Sequence, residues 1–467
     1  MTDGGEQTRV EMVMEGLRAR IAARSLPPGA RLPSLRAHAA AMGVSKSTVV
    51  DAYDRLVAEG VIQARPGSGF FVAGRAGALT LSDAQPRLDR DIDPLWISRQ
   101  SLEAQQSALK PGCGWMPAAW MPHALIRKAL RALSRGEPAS LADYDGPLGH
   151  AGLRHVLARR LAESGVATAP DRILLTESGT QALDLVCRLL LRPGDTVLTD
   201  DPCYFNFHAL LRAHGVEAAG VPMTPAGPDV EAFAAALASR KPRLYLTNSG
   251  LHNPTGATLS PVVAHRVLTL AEETGTIIVE DDIFADFEQD GAPRLAALDG
   301  LENVVRIGSF SKTLSAAARC GYIAARGPWI EALTDLKIAT SFSSGRLAAE
   351  LVFAATTDPG YRRHMEQLRR RLARAMEETT AKLARLGLTP WIAPRGGMFL
   401  WCALPDGLEA GDIARRCLAQ GVVMAPGDAF SLSRSAGAYL RFNVTQCGDP
   451  RIFAALARAM EEARASF

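Results

Sequence analysis

The 467-residue sequence lacks any apolar run near eighteen residues, and no positively charged stretch leads into an apolar segment at its amino end. A helical bilayer crossing needs about twenty apolar residues, so the chain is expected to be a soluble, cytoplasmic protein with no membrane contact. Paired cysteines are also missing: Cys113, Cys187, Cys203, Cys320, Cys402, Cys417 and Cys447 are scattered without the spacings of a disulfide framework or a metal centre. Reduced thiols and no bound metal are the expectation. Charge of one sign is scarce, with 52 Lys plus Arg against 49 Asp plus Glu. So small an excess permits nucleic-acid binding without suggesting it. It is not spread evenly, because residues 1–76 hold ten basic against seven acidic side chains and the remainder balances. There is no internal repeat.

What is present is enough apolar residue, 47%, to bury several cores, and the length suggests about three domains. From about residue 106, buried-looking strands at 197–199, 244–247, 277–280 and 304–307 alternate with helices, which implies a mostly parallel sheet covered on both faces. Chemistry-bearing segments fall at the carboxyl ends of these strands, where doubly wound sheets bind ligands. They are Ser178-Gly179-Thr180, His252-Asn253-Pro254-Thr255-Gly256, Glu280-Asp281-Asp282 and Ser309-Phe310-Ser311-Lys312, with Arg319 just beyond. A lysine at a strand end, flanked by hydroxyls and followed by an arginine, suits an imine with an aldehyde that also carries a phosphate. After about residue 347 come an arginine-rich helix and shorter strands near 398–402, 422–424 and 439–444, read as a smaller α/β domain.

In this order and approximate spacing the four segments resemble the aspartate-aminotransferase fold family of pyridoxal-phosphate proteins, over roughly residues 106–467. The resemblance implies pyridoxal 5'-phosphate held covalently by Lys312, with Asp281 against the pyridine nitrogen and Asn253 donating to the phenolic oxygen and reaching the substrate. It implies a phosphate cage of Ser178, Gly179, Thr180, Ser309, Ser311 and Arg319 at a helix start. By the same resemblance Tyr204 covers the cofactor ring, Tyr144 reaches the phosphate of a neighbouring subunit in a homodimer, and Arg441 grips the carboxylate of an amino-acid ligand. One departure stands out: where many members carry a tyrosine two or three residues beyond the aspartate, this chain has Ile283 and Phe284. A donor to the phenolic oxygen is missing.

The first seventy-odd residues have a different grammar. Val13, Leu17 and Ile21 recur at helical spacing, a second helix is expected from about Ser34 to Met42 with Gly43 ending it, and a third, capped by Ser45, is expected to bury Val49, Tyr53, Leu56 and Val57. Two short strands at 61–64 and 70–72 flank Arg65-Pro66-Gly67-Ser68-Gly69. These elements resemble the GntR-type winged helix, through residues 28–36, 44–49 and the glycine tip. That implies double-stranded DNA as partner: Ser34 and Arg36 on phosphates, Arg31 also in the DNA-binding set, Ser45, Lys46, Ser47 and Thr48 entering the major groove, and Gly67 and Gly69 at a wing tip reaching the minor groove. The expected division is a head at 1–74, a linker at 75–105, a large aminotransferase-like part at 106–346 and a small one at 347–467.

The fusion of the two modules resembles the MocR class of regulators. The fold expected is therefore multidomain: an amino-terminal winged helix-turn-helix, then an α/β pyridoxal-phosphate-dependent transferase fold. The function implied is a transcription factor whose body senses an amine, an amino acid or a vitamin B6 form. The alternative is an active aminotransferase with an accessory DNA-binding head.

Overall fold

The computed structural model describes residues 8–73 and 95–465, apart from 24, 28, 66, 105–106, 138–140, 289–290 and 406. The chain divides into two compact units, 1–84 and 85–467.

In the first unit, helix α1 (Arg9–Ala22) starts in a capping box between Thr8 and Glu11, which satisfies two backbone donors that a helix start otherwise leaves open. Helix α2 (Leu35–Met42) begins where Ser34 Oγ accepts from Ala37 N at 3.2 Å and ends at Gly43, whose φ of 63° stops the helix in a left-handed turn. Helix α3 (Lys46–Ala58) follows at once, capped by Ser45 Oγ accepting from Thr48 N at 3.1 Å. Val13, Leu17, Val49, Ala52, Tyr53 and Leu56 form the core; Val57 is only half-buried, because it sits at the margin of the buried stripe. Strands β1 (Ile62–Arg65) and β2 (Gly69–Val72) pair antiparallel from Ile62 with Val72 to Arg65 with Gly69. The free edge of β2 takes Leu32 N onto Phe70 O at 2.8 Å, which draws Arg31 alongside the wing. This is a winged helix-turn-helix.

The second unit is built on an eight-stranded sheet: β3 (Ile173–Thr176), β4 (Thr196–Asp201), β5 (Glu217–Thr224), β6 (Gly227–Pro228), β7 (Leu244–Thr247), β8 (Ile277–Asp281), β9 (Val304–Ser309) and β10 (Gly321–Ala324). Their order is β3-β10-β9-β8-β7-β4-β5-β6. The run β5-β4-β7-β8-β9 is parallel, and β10 is antiparallel to both its neighbours. Strands β3, β7, β8 and β10 are buried at every residue, the mark of a sheet covered on both faces. A second, antiparallel sheet of β11 (Thr389–Pro390), β12 (Phe399–Ala403), β13 (Ala425–Pro426) and β14 (Tyr439–Asn443) is ordered β11-β12-β14-β13.

Three boundaries differ from expectation. Residues 422–424 do not form a strand of the small sheet; Leu109 and Gly112 donate to Gly421 O and Val423 O at 3.0 and 2.9 Å, so this stretch is occupied by a segment more than three hundred residues earlier in the chain. Helix Arg346–Thr357 packs against helices His123–Leu133 and Ala151–Glu163 of the larger part, with His150 Nε2 at 3.2 Å from Glu350 Oε2. Within the expected linker, Trp96–Glu103 is a helix whose Trp96 and Ile97 are buried in the core of this unit. Of that linker, 75–94 and 105 lie outside the described residues.

Candidate functional site

The carboxyl ends of the parallel strands deliver the chemistry. Beyond β4 comes Tyr204, beyond β7 Asn253, β8 ends on Asp281, and Lys312 lies three residues after β9. Tyr204, Asn253 and Lys312 line one cleft of about 100 Å³, with Ile283 and Phe284 also on its wall.

Lys312 Nζ donates to Gly114 O at 2.5 Å. Burial, reinforced by the Arg441 cation, pulls its amine down to about 8, which enlarges the neutral, nucleophilic fraction at physiological pH. Asp281 is buried, its carboxylate receiving Ile283 N at 3.3 Å, while Asn248 Nδ2 donates to its backbone carbonyl at 2.7 Å. Burial pushes this carboxyl up to about 7. A buried acid served by one backbone donor suits a cationic ring nitrogen, which would return the carboxylate to its charged form.

Arg441 is the most exacting member of the set. It is fully buried, donates from Nη1 to Asn253 Oδ1 and from Nη2 to Gly112 O, both at 2.7 Å, and has Phe399 and Phe430 rings 4.2 and 4.8 Å from its guanidinium carbon. Its Nε is without a partner, and no carboxylate pairs with it among the described residues. Burial lowers even this guanidinium, to about 10. A buried cation without an anion is costly, and an incoming carboxylate would relieve that cost with charge-assisted hydrogen bonds.

Several of the residues expected to hold a phosphate lie around β10. Register sets Gly321 beside Thr176 on one flank and Ser309 on the other. A side chain at Gly321 is excluded, since its Cβ would come within 2.6 Å of the Ser178 backbone. Ser178 caps helix Gly179–Leu190, accepting from Gln181 N at 3.0 Å, so the N–H groups of Gly179 and Thr180 stand at an open helix start. A Cβ at Gly179 would lie 3.7 Å from Ser309 Cβ, and Ser309 Oγ donates to Ser311 Oγ at 3.2 Å. Arg319 is exposed, holds a left-handed φ of 42°, and makes no hydrogen bond or ion pair among the described residues. The Ser309 and Ser311 hydroxyls beside an open helix start have the chemistry a phosphate dianion needs, and Arg319 is an uncommitted cation two residues before Gly321.

Tyr144 is not brought to the cleft. It is 73% exposed and lies 4.7 Å, centroid to centroid, from the exposed ring of Phe342. Phe284, where a hydroxyl was missing, is buried with its ring edge-on to Phe399 at 5.5 Å.

Sequence reading missed Ile97, Ser98, Gly114, Trp115 and Phe205, which line the cleft. The apolar triplet Leu95-Trp96-Ile97 after Pro94 was a signal of a buried helix start. The carbonyls of Gly112 and Gly114 carried none, because a backbone acceptor leaves no trace in side-chain identity.

In the head, Ser45 Oγ lies 2.8 Å from both Ser47 Oγ and Thr48 Oγ1, making a hydroxyl cluster at the first turn of α3. Arg31, Ser34, Arg36, Lys46 and Ser47 are exposed, as are Gly67 and Gly69 at the wing tip. The side chains of Arg31, Arg36 and Lys46 make no ion pair among the described residues.

Residues 119–458 match the family model "Aminotransferase class I and II" and residues 9–72 match "Bacterial regulatory proteins, gntR family". The chain is 31% identical to the HTH-type transcriptional regulator TauR of Rhodobacter capsulatus, over 90% of this chain and 88% of that one. It is 29% identical to the uncharacterized HTH-type transcriptional regulator YdcR of Escherichia coli, over 93% and 94%. Among solved structures it is similar to LysN, the α-aminoadipate aminotransferase of Thermus thermophilus complexed with N-(5'-phosphopyridoxyl)-L-leucine, with a TM-score of 0.72, 27% identity, and coverage of 79% of this chain and 96% of that one.

Proposed function

The chain belongs to the aminotransferase class I and II family and carries a gntR-family DNA-binding head, and from that premise we propose that occupancy of the Lys312 cleft by an amine, an amino acid or a vitamin B6 form alters how the head holds a double-stranded DNA operator. The protein is a transcriptional regulator and its cofactor is pyridoxal 5'-phosphate. When bound, that group supplies an electrophilic carbon for amines and a ring that withdraws electrons. Lys312 provides the neutral amine that anchors it, Asp281 an acid poised to ionise beside its ring nitrogen, and Asn253 an amide for its phenolic oxygen. Ser178, Gly179, Thr180, Ser309, Ser311 and Arg319 take its phosphate. Arg441 takes the carboxylate of the effector.

The observation that carries the sensing role is Arg441, fully buried and paired with no carboxylate among the described residues. A second copy of the chain is part of the proposal: the exposed pair Tyr144 and Phe342 suits an aromatic hydroxyl reaching across to a neighbour's phosphate. We keep a head at 1–74 and a two-part body, with the linker shortened to about 75–94 and the small part beginning near Pro359. An effector shifts the head only if it favours one arrangement of the two modules over another.

The test is to follow operator affinity and the visible spectrum of the full chain while amines are added. An effector should move both in the wild type and neither in Lys312→Ala or Arg441→Ala, which keep basal DNA binding. A second reading, an aminotransferase with a DNA-binding head, is favoured by the complete set of Lys312, Asp281 and Arg441. Steady keto-acid production at about 1 per second or faster, with operator binding indifferent to every amine, would establish it instead.

A further inference from the structure

One short strap of backbone, 110–115, holds both basic side chains of the cleft: Gly112 O accepts from Arg441 Nη2 at 2.7 Å and Gly114 O from Lys312 Nζ at 2.5 Å. We infer that this strap passes occupancy of the cleft to helix Trp96–Glu103, and from there to 75–94 and the head, with Lys110 as the positioning residue that keys strap to helix. The inference rests on the sensing reading above and concerns the route that reading leaves open.

The strap is fastened to the strand that carries Arg441. Asn443 N donates to Pro111 O at 2.7 Å, and Asn443 Nδ2 donates to Cys113 O and Trp115 O at 3.0 and 2.8 Å. Backbones touch at Gly112, where a Cβ would lie 2.4 Å from the carbonyl carbon of Met424. At the other end Lys110, half-buried, donates from Nζ to Ser101 O at 2.8 Å and to Ala104 O at 3.4 Å. Both carbonyls lie at the end of helix Trp96–Glu103, where an ammonium satisfies open acceptors and favours the helix dipole. That helix also sets Ile97 and Ser98 on the cleft wall, and it is the first described element of the body after 75–94.

These contacts differ with occupancy. Once Lys312 is bonded to the cofactor, its nitrogen no longer serves Gly114 O as an amine. A carboxylate arriving at Arg441 competes with Gly112 O for the guanidinium. Cofactor and ligand thus act on carbonyls two residues apart in one segment, which supplies the differential interaction that a shift between two arrangements requires. Either change loosens the strap on its cleft side and weakens the grip of Lys110 on the helix end.

The test begins with hydrogen–deuterium exchange of the full chain, cofactor-free and loaded with pyridoxal 5'-phosphate, read at amides 101–104, beyond the cleft-lining residues of the helix. Loading should speed exchange there at least about threefold in the wild type, as the last turn opens more often. Lys110→Met should exchange fast in both states, and Lys110→Arg, which keeps donors for both carbonyls, should restore the difference. A merely structural lysine is told apart by DNA: with an oligonucleotide selected from random sequence and the common L-amino acids as ligands, Lys110→Met should keep the spectral response and lose the change in DNA affinity. Unchanged exchange at 101–104 in a wild type whose Lys312 is labelled by borohydride, or a DNA response that survives in Lys110→Met, overturns the route alone. A wild type in which amines move the spectrum and none moves DNA affinity overturns the sensing reading and the route with it.

Discussion

The head and the body solve recognition in opposite dielectric settings. In the head, Arg36 and Lys46 are exposed and make no ion pair among the described residues; in the body, Arg441 and Asp281 are buried, with orphaned or thinly served atoms. Exposed cations cost little to maintain and act additively through the counterions they release, so the head's affinity should track salt. Buried charges cost much to maintain, shift their ionisation, and repay that cost only when a ligand of matching charge arrives. A surface built like the head suits a long polyanion, and a cleft built like the body suits one small molecule held at several points.

The contrast breaks most severely at Lys312. Lys312→Ala should abolish the borohydride-reducible cofactor linkage entirely while far-ultraviolet circular dichroism stays unchanged, since the side chain makes one hydrogen bond, to Gly114 O. Retention of a reducible linkage in this variant would remove the body's site from where it has been placed. Next in size is Arg441→Ala, which takes away a buried cation whose ligand contacts are charge-assisted; effector binding should weaken by about 2 to 5 kcal/mol, read by the same titration. An effector that binds this variant with wild-type affinity would show that the orphaned guanidinium belongs to the protein's own packing.

How far each half was legible follows from the range of its interactions. Ser34 and Ser45 cap helices through N–H groups three residues on, and Gly43 ends a helix through its own φ, so local sequence contains all the physics needed. The body's contacts join distant positions: Lys312 to Gly114, Asn253 and Gly112 to Arg441. Motif resemblance singled out Lys312, Asn253 and Arg441, yet it could not single out Gly112 or Gly114, whose contacts with them are made by carbonyls. The helix Trp96–Glu103 was read as linker because charges and prolines before it set the tone of the segment, while its burial depends on a core supplied by the rest of the body.

The acid–base behaviour of the body sharpens the comparison further. With Lys312 held down to about 8 by burial, attack on the cofactor aldehyde proceeds through a neutral fraction of roughly a tenth at pH 7. The rate of reloading cofactor-stripped protein should rise about tenfold per pH unit below 8 and level off above it, because the neutral amine is the nucleophile. A rate still climbing at pH 10 would mean an amine at its ordinary value, hence a lysine in water. For the head, Arg36→Ala should reduce binding to all DNA sequences and lower the slope of log affinity against log salt by about one unit. An unchanged slope would take Arg36 off the phosphates.

The smallest effect expected separates the two jobs of one hydroxyl. Ser45 Oγ accepts from Thr48 N at 3.1 Å as the cap of α3, and its own proton can go to a phosphate when the Ser47 and Thr48 hydroxyls beside it act as the donors of their cluster. Ser45→Ala loses both functions, Ser45→Asp keeps the cap but adds negative charge where DNA would lie, and Ser45→Asn keeps the cap without charge. Removing the cap should cost the head about 1 kcal/mol of stability, seen as a lower thermal midpoint for Ser45→Ala and a near-wild-type one for Ser45→Asn and Ser45→Asp. DNA affinity should rank differently, with Ser45→Asp weakest because a carboxylate at the first turn favours the helix dipole yet repels phosphate. If stability and DNA affinity fell in parallel across all three variants, Ser45 would serve only to fold α3, and the groove-facing surface of the head would have to be sought elsewhere.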